Sequence, residues 1–468
     1  MAKTRVILIS VTILLILSGC VTTEQTDSYP PAPAQAATIN EEKPYVSKAD
    51  AVRWPIDLDR AIDIALTNNP GIAAAGFDAM AAQAELDFAK AERLLDIGIV
   101  GSYAHHLDEQ RLLPVRQPGD PAILSRDIIS GDLVLTLPLF TGGQLVNRVK
   151  AAELLQKTAD HILARSREEL VFNISSMFFS ILSQQRIIES LEFSHKVLRE
   201  HIKRVESLID AQKAAEVDRL RTKVRLADIE QQLVREENVL SIQHRAWVNL
   251  LGLENPDESL LPHGELTSGT ENEITDFESA LESAWEKRDD YLAALSALEA
   301  QARQVDVARA ENWPNIYLQG SYGQRWAVGP TFGQGDENDD IGRIGVTAVI
   351  PFYEGGRVDA KVAQQHAKLA AARERLRKLE LQIRLDVETA LLNISSSKQR
   401  IKAIKQAVEQ AGESLRIERE KYDLGKGAII DVLDAQAALL EVQTSHYKVL
   451  AEFNIAVAQL NMATGESQ

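Results

Sequence analysis

The two halves of this chain of 468 residues repeat the same order of short motifs. Residues 97–103, Ile-Gly-Ile-Val-Gly-Ser-Tyr, reappear at 316–322 as Ile-Tyr-Leu-Gln-Gly-Ser-Tyr, a shift of 219 positions. Residues 138–144, Pro-Leu-Phe-Thr-Gly-Gly-Gln, reappear at 351–357 as Pro-Phe-Tyr-Glu-Gly-Gly-Arg, and the shift there is 213 positions. A repeat of this length is not a short-period solenoid. It predicts two similar halves, residues 56–265 and 266–468, that build one pseudo-symmetric object.

The N-terminus has the features of a processing signal. A short basic stretch precedes an apolar run over 6–17, which is too short to cross a bilayer as a helix. The run ends in Leu-Ser-Gly-Cys, which resembles a bacterial lipobox, and Cys20 is the only cysteine of the chain. We therefore expect a signal peptide over 1–19, lipidation of Cys20, and a flexible tether rich in Pro, Ala, Thr and Gln over 20–55. An ordinary cleaved signal with an incidental cysteine is the alternative.

Long helical patterns dominate both halves. Residues 144–209 contain neither Pro nor Gly and would extend over roughly 100 Å as one helix. A seam through Ile188, Leu191, His195 and Leu198 advances in steps of three and four, the heptad spacing of left-handed coiled packing. We interpret His195 as a partly exposed seam residue, with a ligand role as the alternative. Such lengths favour a coiled coil or an α-barrel. Further helices are expected at 56–95, 217–251, 276–312, 357–424 and 430–463.

Four short segments break the helical period, because their apolar residues fall on every second position. The apolar series are Ile97, Ile99, Gly101 and Tyr103; Leu133, Leu135 and Leu137; Ile316, Leu318, Gly320 and Tyr322; and Ile344, Val346, Ala348 and Ile350. Each segment has about 10 to 13 residues, enough for a tilted transmembrane strand. A soluble hairpin gives the same alternation. Membrane entry beyond the lipid would need these strands, since no later run of eighteen apolar residues exists.

The strand count predicts an oligomer if these strands lie in a membrane. The smallest membrane barrels have about eight strands, so four strands cannot close a barrel. Two copies would give eight strands around an interior filled by side chains, and three would give twelve strands with room for a lumen. The helices of the same copies would then form a tube below the barrel.

The features above resemble the TolC-type outer-membrane efflux family over residues 56–465. The resemblance rests on the double repeat, the lipobox, the strand–helix joints and the tip motif Tyr-Asp-Leu-Gly-Lys-Gly-Ala-Ile-Ile-Asp-Val-Leu-Asp-Ala at 422–435. The joints are the pairs Gly142, Gly143 and Gly355, Gly356. The resemblance implies a mainly α fold with transmembrane β structure: a homotrimer with a shared twelve-stranded β-barrel and a long α-helical tunnel in the periplasm. It also implies a lipid-anchored exit duct in the outer membrane, which docks to a periplasmic adaptor protein and an inner-membrane pump.

The same resemblance assigns roles to residues at the tip. Asp431 and Asp434 match aspartates that ring the periplasmic constriction; a helix-start charge and a surface acid are the alternative readings. Tyr422 and its first-half partner Asp218 match residues that latch the closed tip. Adaptor contacts are expected at Gly425, Lys426, Gly427, Gln212 and Lys213.

The tip also departs from the family pattern. Gly427 stands where the family has a latch arginine, and Val217 stands where it has that arginine's partner. Gln212 stands opposite Gly425, so one tip turn lacks the glycine of the other. We therefore expect a different or weaker closed state.

Other classes of function find little support in the sequence. The net charge of −17 argues against nucleic acid as a partner. The chain has no phosphate loop, metalloprotease helix or nucleophile elbow, so we expect neither an enzyme nor a cofactor. Asp336, Asn338 and Asp340 resemble the start of a calcium loop, but the following glycine comes one residue late, and we expect no metal site. The alternatives to drug-type efflux are protein secretion, metal efflux and a non-conducting coiled-coil lipoprotein.

Overall fold

The structure, a computed structural model, repeats one order of elements in both halves. It describes residues 56–112, 114, 124–254, 261–268, 276–327 and 340–466. The expected signal peptide, Cys20 and the tether lie outside these residues. The first half contains α1 (Leu58–Asn68), α2 (Pro70–Ala91), β1 (Asp96–Arg111), β2 (Leu124–Thr141), α3 (Gln144–Asp210) and α4 (Glu216–Leu250). The second half contains α5 (Phe277–Lys287), α6 (Asp289–Ala310), β3 (Asn315–Ala327), β4 (Asp340–Val349), α7 (Arg357–Asp423) and α8 (Ile429–Thr464). The predicted internal repeat is therefore confirmed.

The prediction of one continuous helix before each hairpin is wrong. Asn69 separates α1 from α2, and its backbone is extended at φ −67° and ψ 122°. Pro70 explains this break, since a proline disfavours helical backbone at the residue before it. Arg288 separates α5 from α6 in the same way, at φ −68° and ψ 114°, although no proline follows it.

The four strands form one antiparallel sheet in the order β1-β2-β3-β4. One face carries the apolar or small sets Ile99–Leu133–Tyr322 and Leu135–Gly320–Ile344. The other face carries the polar sets Ser102–Ser130–Arg325 and Thr136–Gln319. The predicted alternation is confirmed by this register. Strands β1 and β2, with 16 and 18 residues, are longer than predicted because polar residues of the hairpin tip continue the ladder.

The long helices lie side by side in the order α4, α3, α8, α7. Gln184 of α3 donates to the Glu236 carbonyl of α4 at 3.0 Å, and Gln436 of α8 donates to the Ser194 hydroxyl of α3, also at 3.0 Å. Nearer the sheet the order is α2, α3, α6, α7. Among the described residues, no helix has both the length and the apolar character needed to cross a bilayer.

Candidate functional site

Two matching turns at one end of the long helices hold the predicted tip residues. The first turn joins α3 to α4, and Lys213 N donates to the Leu208 carbonyl at 2.7 Å. The second turn joins α7 to α8, and Lys426 N donates to the Lys421 carbonyl at 2.8 Å. In each turn the preceding residue adds a shorter-range bond, which completes the two-bond Schellman ending of a helix. The repeat therefore extends to the hydrogen bonds of the tip.

Asp218 and Asp431 cap the helices that leave these turns. The Asp218 carboxylate accepts from Ala215 N at 3.3 Å, and the Asp431 carboxylate accepts from Ala428 N at 3.3 Å. A carboxylate in the first turn of a helix also interacts favourably with the helix dipole. Asp431 thus has the helix-start role that was its alternative reading, and its side chain is exposed.

Asp434 is exposed one helical turn beyond Asp431. Arg221 stands at the matching position of α4, 213 residues earlier, so the first-half tip carries a cation where the second carries an acid. A ring of like charges at the end of a tunnel attracts counter-ions and is sensitive to salt. That Asp431 and Asp434 form such a ring stays a prediction.

Tyr422 is the buried member of the predicted latch. Its side chain is 8% exposed and packs in a cluster with residues of three other helices, among them Leu198 and Ile429. Burial first, and then the nearby carboxylates of Asp218 and Asp423, raise the pKa of Tyr422. Within the described part of the chain the Tyr422 hydroxyl has no hydrogen-bond partner. The structure therefore brings Tyr422 and Asp218 to the same tip without joining them by a hydrogen bond.

Sequence reasoning missed His201, whose ring lies beside Tyr422. The two ring centroids are 5.5 Å apart. Burial and the charge of Arg419 lower the pKa of His201, and the carboxylate of Asp423 partly offsets them. The heptad pattern did not single out His201, because the neighbouring position Ile202 carries the seam.

His195 is a seam residue with a carboxylate partner. Its Nε2 atom lies 3.2 Å from a carboxylate oxygen of Glu230 on α4, and the ring is a quarter exposed. The partner comes from the neighbouring helix, as expected for a residue on the α3–α4 seam.

The predicted adaptor-contact residues form the outer surface of both turns. Gln212, Lys213, Gly425 and Lys426 are exposed, and Gly427 is half-buried. A Cβ atom at Gly427 would lie 3.1 Å from Cβ of Lys421, so a side chain here requires a small shift of Lys421. Contact of these residues with an adaptor stays a prediction.

The Gly-Gly pairs lie between the sheet and the long helices. Gly142 and Gly143 have φ values of 61° and 85°, and Gly355 and Gly356 have values of 63° and 80°. Glycine adopts this left-handed backbone without the steric cost that other residues bear. These joints turn the chain from β2 into α3, and from the end of β4 into α7.

No metal centre is evident where the structure describes the chain. The described ranges contain no group of three or more His, Cys, Asp or Glu side chains placed to hold a metal ion. Asp336 and Asn338 of the calcium-like sequence lie outside the described residues. Asp340 begins β4 and accepts hydrogen bonds across the hairpin from Tyr322 and from Gln324, the latter at 2.9 Å.

Comparisons with known proteins match both halves. The family described as "Outer membrane efflux protein" matches residues 61–253 and 280–466. The outer membrane protein TolC of Vibrio cholerae is 22% identical over 348 residues, which cover 74% of this chain and 78% of that protein. The cobalt-zinc-cadmium resistance protein CzcC of Cupriavidus metallidurans is 24% identical over 337 residues, covering 71% of this chain and 76% of that protein. The crystal structure of the outer membrane protein VceC from Vibrio cholerae has the same fold, with a TM-score of 0.74, 22% identity, and coverage of 87% of this chain and 96% of that one.

Proposed function

The chain belongs to the outer membrane efflux protein family, and we propose that three copies of it form the passive exit duct of a tripartite efflux system. A periplasmic adaptor and an inner-membrane pump supply the energy and the substrate. Lipid on Cys20 anchors each copy to the membrane, and the long helices form the tunnel through the periplasm.

The main support for this trimer is that both edge strands of the sheet, β1 and β4, lack a partner strand on one side among the described residues. Within the described ranges, β1 and β4 each pair with one strand, so each leaves a row of backbone groups unpaired. In lipid, each unpaired group costs several kcal/mol, and closure into a barrel removes that cost. Pairing of β4 of one copy with β1 of the next closes the sheet. Three copies give twelve strands and a lumen.

The helical layer supports the same arrangement of copies. Helices α4 and α7 are outermost in the lateral order, and each exposes large apolar residues. Exposed residues at comparable distances from the tip turns are Val224 and Ile242 of α4, and Ile417 and Leu392 of α7. Exposed apolar residues on both outer helices would be buried if neighbouring copies pack against each other, since such patches commonly mark protein interfaces. The edge helix of one copy then packs against the opposite edge helix of the next.

The two faces of the sheet fit a lipid-facing exterior and a polar lumen. Ile99 and Ile344 are 84% and 75% exposed on the apolar face, which would meet lipid tails. Ser102 and Arg325 lie on the opposite face, which would line the pore. This alternation of apolar outward and polar inward residues is typical of outer-membrane barrels.

The tip is the gate of the proposed duct. In the trimer, Asp431 and Asp434 of three copies ring the narrow end of the tunnel, and mutual repulsion makes the ring sensitive to counter-ions. An adaptor that contacts the turns around Lys213 and Lys426 changes the angle of the helices and opens the ring. The free hydroxyl of Tyr422 gives the tip one further hydrogen bond to make in the closed state.

Disulfide trapping tests the assembly. Cysteine pairs are introduced across the proposed junction, one on β1 and one on β4, in a background that keeps Cys20. Ser102→Cys with Ser130→Cys is the matched control, because these hydroxyls lie 2.8 Å apart on neighbouring strands of one chain. The control pair is expected to form a disulfide within one chain. The best junction pairs are expected to give disulfide-linked species of two and three chains and none larger. Linked species of two chains only, or no junction cross-link in a scan of all pairs, contradicts the proposal.

Metal ions are the second substrate class to test. The similarity to CzcC, a cobalt-zinc-cadmium resistance protein, favours this alternative over protein secretion. Complementation separates the classes: the chain is expressed with its adaptor and pump in cells that lack their own duct, and resistance to drugs and to metal salts is compared. Metal resistance without drug resistance would reassign the substrate while keeping the duct.

A further inference from the structure

Two neighbouring side chains near the tip each have a buried polar atom without a hydrogen-bond partner among the described residues. The Nε2 atom of His201 on α3 and the hydroxyl of Tyr422 on α7 are both buried, and neither has a hydrogen-bond partner within the described residues. Their rings are 5.5 Å apart and tilted by 49°. A buried neutral group without a partner is tolerated at some cost, whereas a buried charge without a partner costs far more.

The charges around His201 disfavour a further cation. Burial lowers the pKa of His201 most, and the charges of Arg419 on α7 and Arg204 on α3 lower it further. Asp423 on α7 is the one nearby carboxylate that acts in the opposite sense, but it is already paired with Arg204 at 2.9 Å.

The other two helices offer His201 no compensating charge. Helix α4 brings Asp218 to the tip, where its carboxylate acts on Tyr422 and caps α4. Helix α8 contributes the uncharged side chains of Ile429 and Val432 to the cluster. A proton on His201 would therefore lie between two arginines and an apolar cluster.

We propose that His201 is an acid-sensitive switch of the tip, whose protonation loosens the packing of the end of α3 against the end of α7. In the packed state the ring is neutral, whereas an opened tip exposes it to water, where its pKa returns to about 6.5. The packed state then binds fewer protons than the open one, so packing is stable above about pH 6.5 and weakens as the pH falls below it. The inference rests on the proposed function in treating the tip as a gate, and an acidic periplasm would favour the open gate.

His446 provides a matched control on α8. It also has a buried, unpartnered ring nitrogen, and its pKa is lowered by burial and by Lys405. It lies 17 residues beyond Ile429, roughly 25 Å along the helix from the tip. Its protonation should loosen the middle of the tube and leave the tip turns unchanged.

Hydrogen exchange of the full-length protein in detergent tests the switch directly. Amide exchange in 198–210 is compared at about pH 7.5 and about pH 5.5, on either side of the ordinary histidine pKa, after correction for intrinsic rates. For the wild type and His446→Gln we expect opening at the tip to become up to about tenfold more frequent in acid, because pH 5.5 lies one unit below the ordinary histidine pKa that the exposed ring regains. For His201→Gln we expect little change, since glutamine does not titrate. An equal acid response in His201→Gln, or no response in the wild type, overturns the inference.

A conductance series separates this inference from the proposed function. The same three proteins are inserted into planar bilayers, and the open probability is recorded over the same pH range. A rise in acid that His201→Gln abolishes supports both the duct and the switch. Conductance with a pH response that His201→Gln leaves unchanged keeps the duct and overturns the switch. Absence of conductance in all three proteins overturns the duct, and the hydrogen-exchange result then decides the switch alone.

If His201→Gln fails to fold, His201→Asn replaces it in both experiments.

Discussion

Gln212 and Gly425 occupy the same place in the two tip turns, 213 positions apart, and both have left-handed backbone. Their φ values are 56° and 69°. Glycine reaches this region freely, whereas a residue with a Cβ atom bears a cost of roughly 1–2 kcal/mol there. The first-half turn is therefore strained where the second-half turn is relaxed.

Replacing Gln212 by Gly is expected to stabilise the first tip turn. The expected gain in the free energy of local opening is about 1 kcal/mol, because the substitution removes the steric cost of the left-handed backbone. Hydrogen exchange of the amides in 208–213 measures it. Gly425→Gln is the reciprocal control and should destabilise the second turn by a similar amount. Slower exchange in the reciprocal variant than in the wild type would contradict this explanation.

The two strand–helix joints are expected to respond differently to the same substitution. Gly142 and Gly355 have nearly equal φ values, 61° and 63°. A Cβ atom at Gly142 would lie 2.4 Å from Cβ of Trp313, whereas at Gly355 it would meet nothing within 4 Å. Gly142→Ala should therefore lower the yield of folded oligomer severely. Gly355→Ala should cost only the backbone strain, roughly 1 kcal/mol. Heat-resistance gels of both variants make the comparison, and equal loss in the two would show that packing at Trp313 is unimportant.

Different side-chain contacts stabilise the break between α1 and α2 and the break between α5 and α6. Asn69 donates to the Leu250 carbonyl at the end of α4, at 3.0 Å. Arg288 reaches the matching Ala463 carbonyl at 3.5 Å and also pairs with Asp290 and Asp386, each at 2.8 Å. The Arg288 side chain is 3% exposed, whereas those of Asp290 and Asp386 are about a quarter exposed.

Removing these two side chains is expected to have unequal effects on stability. Arg288→Met removes the cation shared by Asp290 and Asp386, leaves Asp290 only its longer 3.8 Å contact with Arg165, and should cost about 3 kcal/mol. Asn69→Ala removes one hydrogen bond and a helix cap and should cost about 1–2 kcal/mol. Thermal unfolding of the detergent-solubilised proteins ranks the two variants. A larger loss of thermal stability for Asn69→Ala would contradict the conclusion that the ion pairs of Arg288 stabilise the break between α5 and α6.

Glu168 on α3 is expected to destabilise the fold at neutral pH. Burial raises its pKa most, Asp289 and Asp290 raise it further, and Arg165 partly offsets them. A carboxyl whose pKa is raised by folding contributes stability in acid that is lost as the pH rises through that pKa. Glu168→Gln should therefore unfold at a higher temperature than the wild type at pH 7, and the gap should shrink toward the ordinary carboxyl pKa of about 4.3. A difference in unfolding temperature that does not change with pH would show that the effect comes from packing and not from the charge of Glu168.

The periodic features of the fold could be predicted from the sequence, but few of the contacts between residues far apart in the chain could be. The alternation through Ile97 and Ile344 and the paired glycines at the joints could be predicted, because strand period and left-handed backbone depend on local chemistry. The break at Arg288 could not, since no proline or glycine marks it and its guanidinium group pairs with Asp386, 98 residues away. His201 was missed for the same reason: its surroundings depend on Arg419 and Tyr422, which belong to the other half of the chain. The family resemblance predicted Tyr422 and Asp218 as a latch, but it did not predict that Asp218 would cap α4.

Single-channel conductance in planar bilayers tests the gated duct most directly. The wild type is compared with the double variant Asp431→Ala, Asp434→Ala, and with Asp228→Ala, which removes an exposed acid of α4 beyond the tip. We expect low, cation-selective current from the wild type and from Asp228→Ala, and a larger or less selective current from the double variant, because the charged ring is gone. Equal conductance in all three proteins would remove Asp431 and Asp434 from the gate. No conductance from any membrane-inserted protein would contradict the duct itself and favour the non-conducting lipoprotein.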